Sequence, residues 1–278
     1  MTATSKADCD SSFSEARSAP PRQCPLCGSG ESRLLFERDG WPVVQCPCAM
    51  VFLAKEISYQ SQAQEHEFSE AYSVECERRR QASPLLHFVS NLTRRLKPPM
   101  PDRLLRQTLR WRPALQGAKL LDIGCGDGAF LEAAAQHFEV TGVEISPAMA
   151  ERARKRLPHA TIHTGPSTEA PLPDNTFDVV TQFSVLEHEW RPRKALRMVA
   201  RVLRPGGVTV IKVPNFASWN RTIRGVEWCG IRLPDHCNYF TPATLAAFLK
   251  RAGLTPLRGS LADTFPTSDS LWMAARKI

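Results

Sequence analysis

The stretch Lys119-Leu120-Leu121-Asp122-Ile123-Gly124-Cys125-Gly126-Asp127-Gly128-Ala129 decides the fold. A short apolar strand runs into a glycine-rich turn, and a helical pattern opens near Phe130. Glycines at such a turn let the chain double back and bring a ligand against bare backbone. Gly124, Gly126 and Ala129 also satisfy the Gly-x-Gly-x-x-Ala dinucleotide fingerprint, so the turn alone does not name its ligand. Two carboxylates do more. Glu144 ends the second strand, 22 positions after Asp122, where a carboxylate accepts both hydroxyls of a ribose. Asp122, at the tip of the first strand, would repel a pyrophosphate and attract an ammonium or sulfonium group. The pair favours S-adenosylmethionine over a nicotinamide dinucleotide.

Outward from this turn, strand and helix alternate. Strands are expected at Lys119 to Ile123, Glu139 to Val143, Thr161 to Thr164, Phe177 to Phe183 and Val208 to Val213. Five apolar strands with helical connectors predict a parallel, doubly wound α/β sheet. Leu254 to Gly259 and Leu271 to Ala275 read as two more strands; no helix-length pattern separates them, so they should pair antiparallel.

With 278 residues, 42% hydrophobic and 23% charged, the chain has enough apolar material for a sizeable core, which excludes disorder throughout. No run of 18 apolar residues is present, so no membrane span is expected. Met1 to Pro20 lacks an apolar core of signal-peptide type and reads as a disordered tail of a cytoplasmic protein. The formal charge of +8 is concentrated: Arg78 to Arg112 holds ten Lys or Arg against Asp102 alone, leaving the remainder near neutral.

The motifs after Gly117 resemble the class I S-adenosylmethionine-dependent methyltransferases from about Leu120 to Leu254. They come in order as Asp122 to Gly128, Val143-Glu144-Ile145-Ser146, Phe177-Asp178-Val179-Val180, Leu186-Glu187-His188 and Leu203-Arg204-Pro205-Gly206-Gly207. The resemblance implies a Rossmann-like seven-stranded sheet with the last strand antiparallel. It implies that Asp122, Gly124 and Gly126 hold the methionine end, Glu144 the ribose and Ile145 a face of the adenine, with Cys125 and Gly128 also binding the cofactor. Phe183 joins the cofactor set. Many members receive the adenine amino group on an acid after the third strand; here Pro166 stands there, so Ser167, Glu169 or backbone takes its place.

Four of the nine cysteines crowd into Cys24-Pro25-Leu26-Cys27 and Cys46-Pro47-Cys48, with a hairpin expected between them around Asp39-Gly40. Four thiolates suit a closed, structural zinc site, with unpaired core thiols as the alternative reading. The second pair is Cys-x-Cys where a zinc knuckle usually has two residues between ligands. The block Cys48-Ala49-Met50-Val51-Phe52 resembles the end of a zinc ribbon that precedes the methyltransferase domain in a bacterial group acting on small molecules. The expected organisation is a tail (1–20), a zinc-ribbon-like module (21–55), a helical lid and linker (56–116) and a methyltransferase domain (117–278). Residues 214–240 would form a substrate-covering insertion.

Methyl transfer needs positioning, dryness and, where the acceptor carries a proton, a base within hydrogen-bond reach. His188, after the fourth strand, is the first candidate, and His236, in the insertion, the second, with Tyr239 beside it. Structural histidines tying loops to backbone are the competing reading. Glu187 with His188 could also hold a divalent ion, although some similar quinone-type enzymes carry a further acid where this chain has Ser184. Phe216, Trp219, Trp228 and Tyr239 could wall the acceptor or belong to the core. The basic segment fits a lid gripping an anionic acceptor, phosphate-bearing, carboxylate-bearing or carrier-bound. Nucleic acid is a weaker partner, because Phe88 and Trp111 are the segment's only aromatics for stacking. A module that binds cofactor without turnover is the remaining alternative.

Overall fold

A computed structural model describes residues 22–55, 98–112, 117–259, 263, 266 and 268–278. Residues 56–97 and 113–116 of the expected helical lid and linker lie outside these residues.

The N-terminal part forms β1 (Arg33–Arg38), β2 (Trp41–Gln45) and β3 (Val51–Leu53). The β1–β2 hairpin closes at Asp39-Gly40, both with positive φ, as a tight hairpin turn requires. Helix α1 (Met100–Trp111) follows, started by prolines that cannot continue a helix backwards. The large sheet is then laid down by β4 (Lys119–Ile123), β5 (Glu139–Glu144), β6 (Thr161–Thr164), β7 (Phe177–Phe183) and β8 (Leu203–Pro214). Between them lie α2 (Ala129–Ala134), α3 (Pro147–Arg156) and α4 (Pro192–Val202). After β8 come α5 (Trp219–Arg224), β9 (Asn238–Tyr239), α6 (Pro242–Arg251), β10 (Leu254–Pro256) and β11 (Ser270–Lys277).

The seven strands are ordered β10-β11-β8-β7-β4-β5-β6. Chain order reverses at β4, flanked by β5 on one side and β7 on the other, both parallel to it. Open α/β sheets bind ligands outside the carboxyl ends of their strands at such a switch point. Strand β11 runs antiparallel to β8 and β10, as expected for the last two strands. Helix entries are set locally. The Ser146 hydroxyl accepts from the Met149 N–H before Pro147, and Thr241 and Thr244 form a reciprocal capping box before Pro242.

The second sheet, ordered β1-β2-β3-β9, extends the expected hairpin by two strands. Its fourth strand comes from the insertion: Val51 and Phe52 pair with Tyr239 and Asn238, nearly 190 residues downstream. Cys24, Leu26, Met50 and Phe52 share one apolar cluster with Leu121, Val180, Ile211, Leu196 and Phe248. One side of the N-terminal part is therefore packed onto one face of the large sheet, while Val43, Val51 and Leu53 form a further cluster with residues of the insertion. Among the described residues no helix is long and apolar enough to cross a membrane.

Candidate functional site

Pairing of Asp122 with Gly142 and Ile123 with Val143 sets Asp122 and Glu144 at the tips of neighbouring strands. The N–H groups of Gly124 and Cys125 both donate to the Val143 carbonyl (2.8 and 3.1 Å), which draws the turn back over β5. Glu144 is fixed by two backbone donors, Gly126 N–H to Oε2 (2.8 Å) and Ser146 N–H to Oε1 (2.9 Å). A carboxylate so held keeps lone pairs for further hydroxyl donors.

Asp122 is buried. The Thr181 hydroxyl donates to its Oδ1 at 2.6 Å. Burial raises its pKa to about 7, with the charge of Glu144 pushing the same way. Such a carboxyl is stabilised in its ionised form by a cationic ligand group. Gly124 has φ +73, and a Cβ there would lie 2.5 Å from Val185 Cγ2. Gly126, at φ +55, faces open space, so the turn presents bare backbone with room for a ligand.

The other expected cofactor residues divide. Gly128 and the half-buried Ile145 flank the same turn and strand tip. Cys125 contributes backbone alone, because its thiol points inward against Gly142 and burial raises its pKa. Ser167 lies half-buried in the turn after β6, whose Gly165 N–H donates to the Glu144 carbonyl at 2.9 Å. Phe183 packs edge-on between Phe130 and Trp272, with centroids 5.1 and 5.7 Å away.

Beyond β7 the structure brings His188 and His236 together, their rings edge-to-face with centroids 4.7 Å apart. His188 Nδ1 lies 3.0 Å from the Asp235 carbonyl, and His236 Nδ1 lies 2.8 Å from the Gly230 carbonyl. A carbonyl only accepts, so each Nδ1 carries a proton. Burial, with the nearby Arg232 charge, lowers the His188 pKa to about 4, so the ring is neutral at neutral pH.

Glu187 is buried, and its Oε2 has no hydrogen-bond partner among the described residues. Burial raises its pKa to about 7 against the opposing charges of Lys212 and Arg232. Ligand atoms of Glu187, His188 and His236 lie within 4.8 Å of one another. Lys212 and Arg232 already supply positive charge beside Glu187, which disfavours adding a divalent cation and favours an anion nearby.

Tyr239 is placed differently. With Phe216 and Trp228 it packs against Val43, Val51 and Leu53, so three of the four aromatics left open between acceptor wall and core belong to the core. Its hydroxyl is buried without a hydrogen-bond partner among the described residues. Trp219, the fourth, is exposed. Thr181, Lys212 and Arg232 were not singled out from sequence. Their importance arises from strand register and from the fold of the insertion, neither of which has a local pattern.

The four N-terminal cysteines converge. Cys24 Sγ lies 3.5 Å from Cys48 Sγ, Cys27 Sγ lies 3.4 Å from Cys46 Sγ, and all four sulfurs lie within 4.8 Å. Four sulfurs around a tetrahedral zinc stand roughly 3.8 Å apart for Zn–S bonds of about 2.3 Å. The irregular second pair has a simple explanation. The first turn closes from Gly28 N–H to the Cys24 carbonyl, whereas the second closes one residue sooner, from Ala49 N–H to the Cys46 carbonyl. Ala49 adopts φ +67, the backbone form Gly28 adopts after the first pair. A backbone donor from Ser29 lowers the Cys27 pKa to about 7, while burial raises that of Cys24.

A family model described as a methyltransferase domain matches residues 77–258. A probable S-adenosylmethionine-dependent methyltransferase of Mycolicibacterium smegmatis is 38% identical over 100 residues, 36% of this chain and 39% of that protein. A ubiquinone biosynthesis O-methyltransferase of Xanthomonas axonopodis pv. citri is 31% identical over 166 residues, 55% of this chain and 69% of that protein. The chain thus spans about four tenths of the first relative and seven tenths of the second. Two solved structures share the fold at a TM-score of 0.51. One, from a complex between the Haloferax volcanii Trm112 methyltransferase activator and a methyltransferase, is 20% identical, covering 64% of this chain and 91% of that one. The other, an S-adenosylmethionine-dependent methyltransferase from Mesorhizobium loti, is 22% identical, covering 63% and 96%. With the domain match running through the glycine turn, both carboxylates and the Glu187-His188 loop, the chain belongs to the class I S-adenosylmethionine-dependent methyltransferases.

Proposed function

We propose that this chain transfers a methyl group from S-adenosylmethionine to an oxygen, nitrogen or carbon atom of a small anionic molecule. The observation that carries the reading is the pair Asp122 and Glu144, held at adjacent strand tips on either side of an open glycine turn. The residues suit the cofactor: the buried Asp122 carboxyl, which accepts from the Thr181 hydroxyl, would face the ammonium and sulfonium end, and the backbone-fixed Glu144 carboxylate would face the ribose hydroxyls. Ile145 and Ser167 would flank the adenine, the backbone of Gly124, Cys125, Gly126 and Gly128 the methionine end, and Phe183 an apolar edge. When bound, the cofactor supplies an electrophilic methyl group.

The protein's part is to orient the acceptor, exclude water and take a proton. His188 is assigned as the base. It is neutral, its Nδ1 is fixed by a carbonyl, and its ring is braced by His236. Lys212 and Arg232 would hold an acceptor's negative charge beside it. The O-methylation named for the ubiquinone-biosynthesis relatives makes oxygen acceptors the first class to test. The four thiolates are assigned to a structural zinc. With every position filled by sulfur such an ion would serve folding.

The test is incubation with methyl-labelled donor and a metabolite extract, followed by identification of the labelled product. Label should appear in a small anionic compound with wild type and be lost in Glu144→Ala. Label confined to RNA, or no label in any extract despite saturable donor binding, would overturn the assignment.

A further inference from the structure

We propose that Arg22 and Asn238 are positioning residues for the loop that carries Glu187 and His188, so that the N-terminal module sets the geometry of the site's acceptor side. That this loop serves an acceptor rests on the methyl-transfer reading above. That it is held from the N-terminal module rests on the hydrogen bonds alone.

The loop leaves β7 at Ser184, which adopts φ +59, a conformation that non-glycine residues seldom hold unless their surroundings impose it. Part of the constraint is local: Ser184 N–H donates to the Lys212 carbonyl at 2.8 Å, and Lys212 Nζ donates to Ser184 Oγ at 3.1 Å. The rest comes from far away in sequence. Asn238 Nδ2 donates to the carbonyls of Leu186 (3.1 Å) and Glu189 (2.7 Å). The Glu187 carbonyl accepts from the N–H groups of Cys237 (2.9 Å) and Asn238 (3.1 Å). Arg22 Nη2 donates to the Trp190 carbonyl at 2.7 Å and to Asn238 Oδ1 at 3.0 Å, while its Nη1 donates to the Cys237 carbonyl at 2.9 Å. The guanidinium also lies over the Trp190 ring, 4.0 Å from its centroid.

Four carbonyls of a five-residue loop segment thus take their donors from β9 or from Arg22. Both donors are anchored in the four-cysteine module. Asn238 pairs with Phe52 of β3, Leu53 N–H donates to the Cys237 carbonyl at 3.1 Å, and Arg22 N–H donates to the Ala54 carbonyl at 2.9 Å. Asn238 is buried, so water cannot replace its amide without a shift of the backbone. The carboxylates that would bind the donor take no part in these bonds.

The experiment uses the full chain and two near-isosteric or conservative variants, Asn238→Asp and Arg22→Lys. Asn238→Asp keeps an oxygen for Arg22 and replaces the amide donor facing two carbonyls with an acceptor. Amides of residues 186–190 should exchange with solvent at least tenfold faster, and the His188 imidazole resonance should move or broaden. Amides of β4 and β5 should be unchanged, and S-adenosylhomocysteine affinity should stay within twofold. Arg22→Lys should act in the same direction more weakly, and it answers the question if Asn238→Asp does not fold. Unchanged loop exchange and an unmoved His188 signal in both variants would overturn the proposal, as would acceleration spread equally over β4 and β5. Wild-type protein that gives no heat with S-adenosylhomocysteine would refute the methyl-transfer reading and leave the exchange result standing.

Discussion

Replacing Asp122 by asparagine separates what the site needs from what the fold prefers. In the folded chain this carboxyl has a pKa of about 7 in place of 3.8, chiefly through burial. At about 1.4 kcal/mol per pH unit, the ionised form costs the fold roughly 4 kcal/mol. Because the folded value is the higher one, this cost is fully present above pH 7, shrinks as pH falls through the folded value and is nearly gone by about pH 4. Asp122→Asn keeps an oxygen for the Thr181 hydroxyl and removes the charge. The variant should therefore be the more stable protein at pH 8, by up to about 4 kcal/mol, with the gap reduced to about 2 kcal/mol at pH 5. Glu187 titrates in the same range but is present in both proteins and cancels from the difference. The same change should weaken S-adenosylhomocysteine by on the order of 100-fold, since a partly buried charge pair at 4 Å is worth about 4 kcal/mol before desolvation. In wild type, affinity should fall about tenfold per pH unit below 7, because Asp122 must ionise to pair with the ligand's ammonium group. Urea unfolding at pH 5 and pH 8, with calorimetry at both, reads all of this. A variant no more stable than wild type at pH 8, binding the ligand equally well, would refute the reasoning.

Gly124→Ala forces a left-handed backbone on alanine and sets its Cβ 2.5 Å from Val185 Cγ2, so donor-product affinity should drop at least tenfold, with a lowered melting temperature. Mass spectrometry of the metal content should find one zinc per chain. Cys27→Ser or a strong chelator should remove it and lower the melting temperature by several degrees, whereas a metal-free chain of full stability would exclude the zinc assignment. His188→Ala should bind S-adenosylhomocysteine like wild type and lose methyl transfer by about 100-fold or more; full activity would remove His188 from the role of base.

The central strands of the large sheet were legible because they are buried on both faces and read as near-continuous apolar runs, whereas the edge strand Thr161–Thr164 has only Ile162 buried. Lys119–Ile123, Thr161–Thr164 and Phe177–Phe183 fall where their patterns end. Asp39-Gly40 announced the hairpin through its turn chemistry. Strand β9 had no such signal: two residues carry no periodicity, and their partner lies near the other end of the chain. That pairing is also why Phe216, Trp228 and Tyr239 are core: the insertion folds over the N-terminal sheet, so its aromatics have β2 and β3 to pack against. At the site, the residues were visible one by one, but their company was not. Asp122 meets Thr181 through strand register, and His188 meets His236 through the Asp235 and Gly230 carbonyls, contacts that no spacing rule encodes.

The central claim is that two carboxylates at adjacent strand tips select a sulfur-charged nucleoside, and calorimetric titration of the purified chain tests it most directly. S-adenosylhomocysteine should give a saturable one-to-one heat that disappears in Glu144→Ala, and a nicotinamide dinucleotide should give none. Silence with the former and a clear isotherm with the latter would contradict the account.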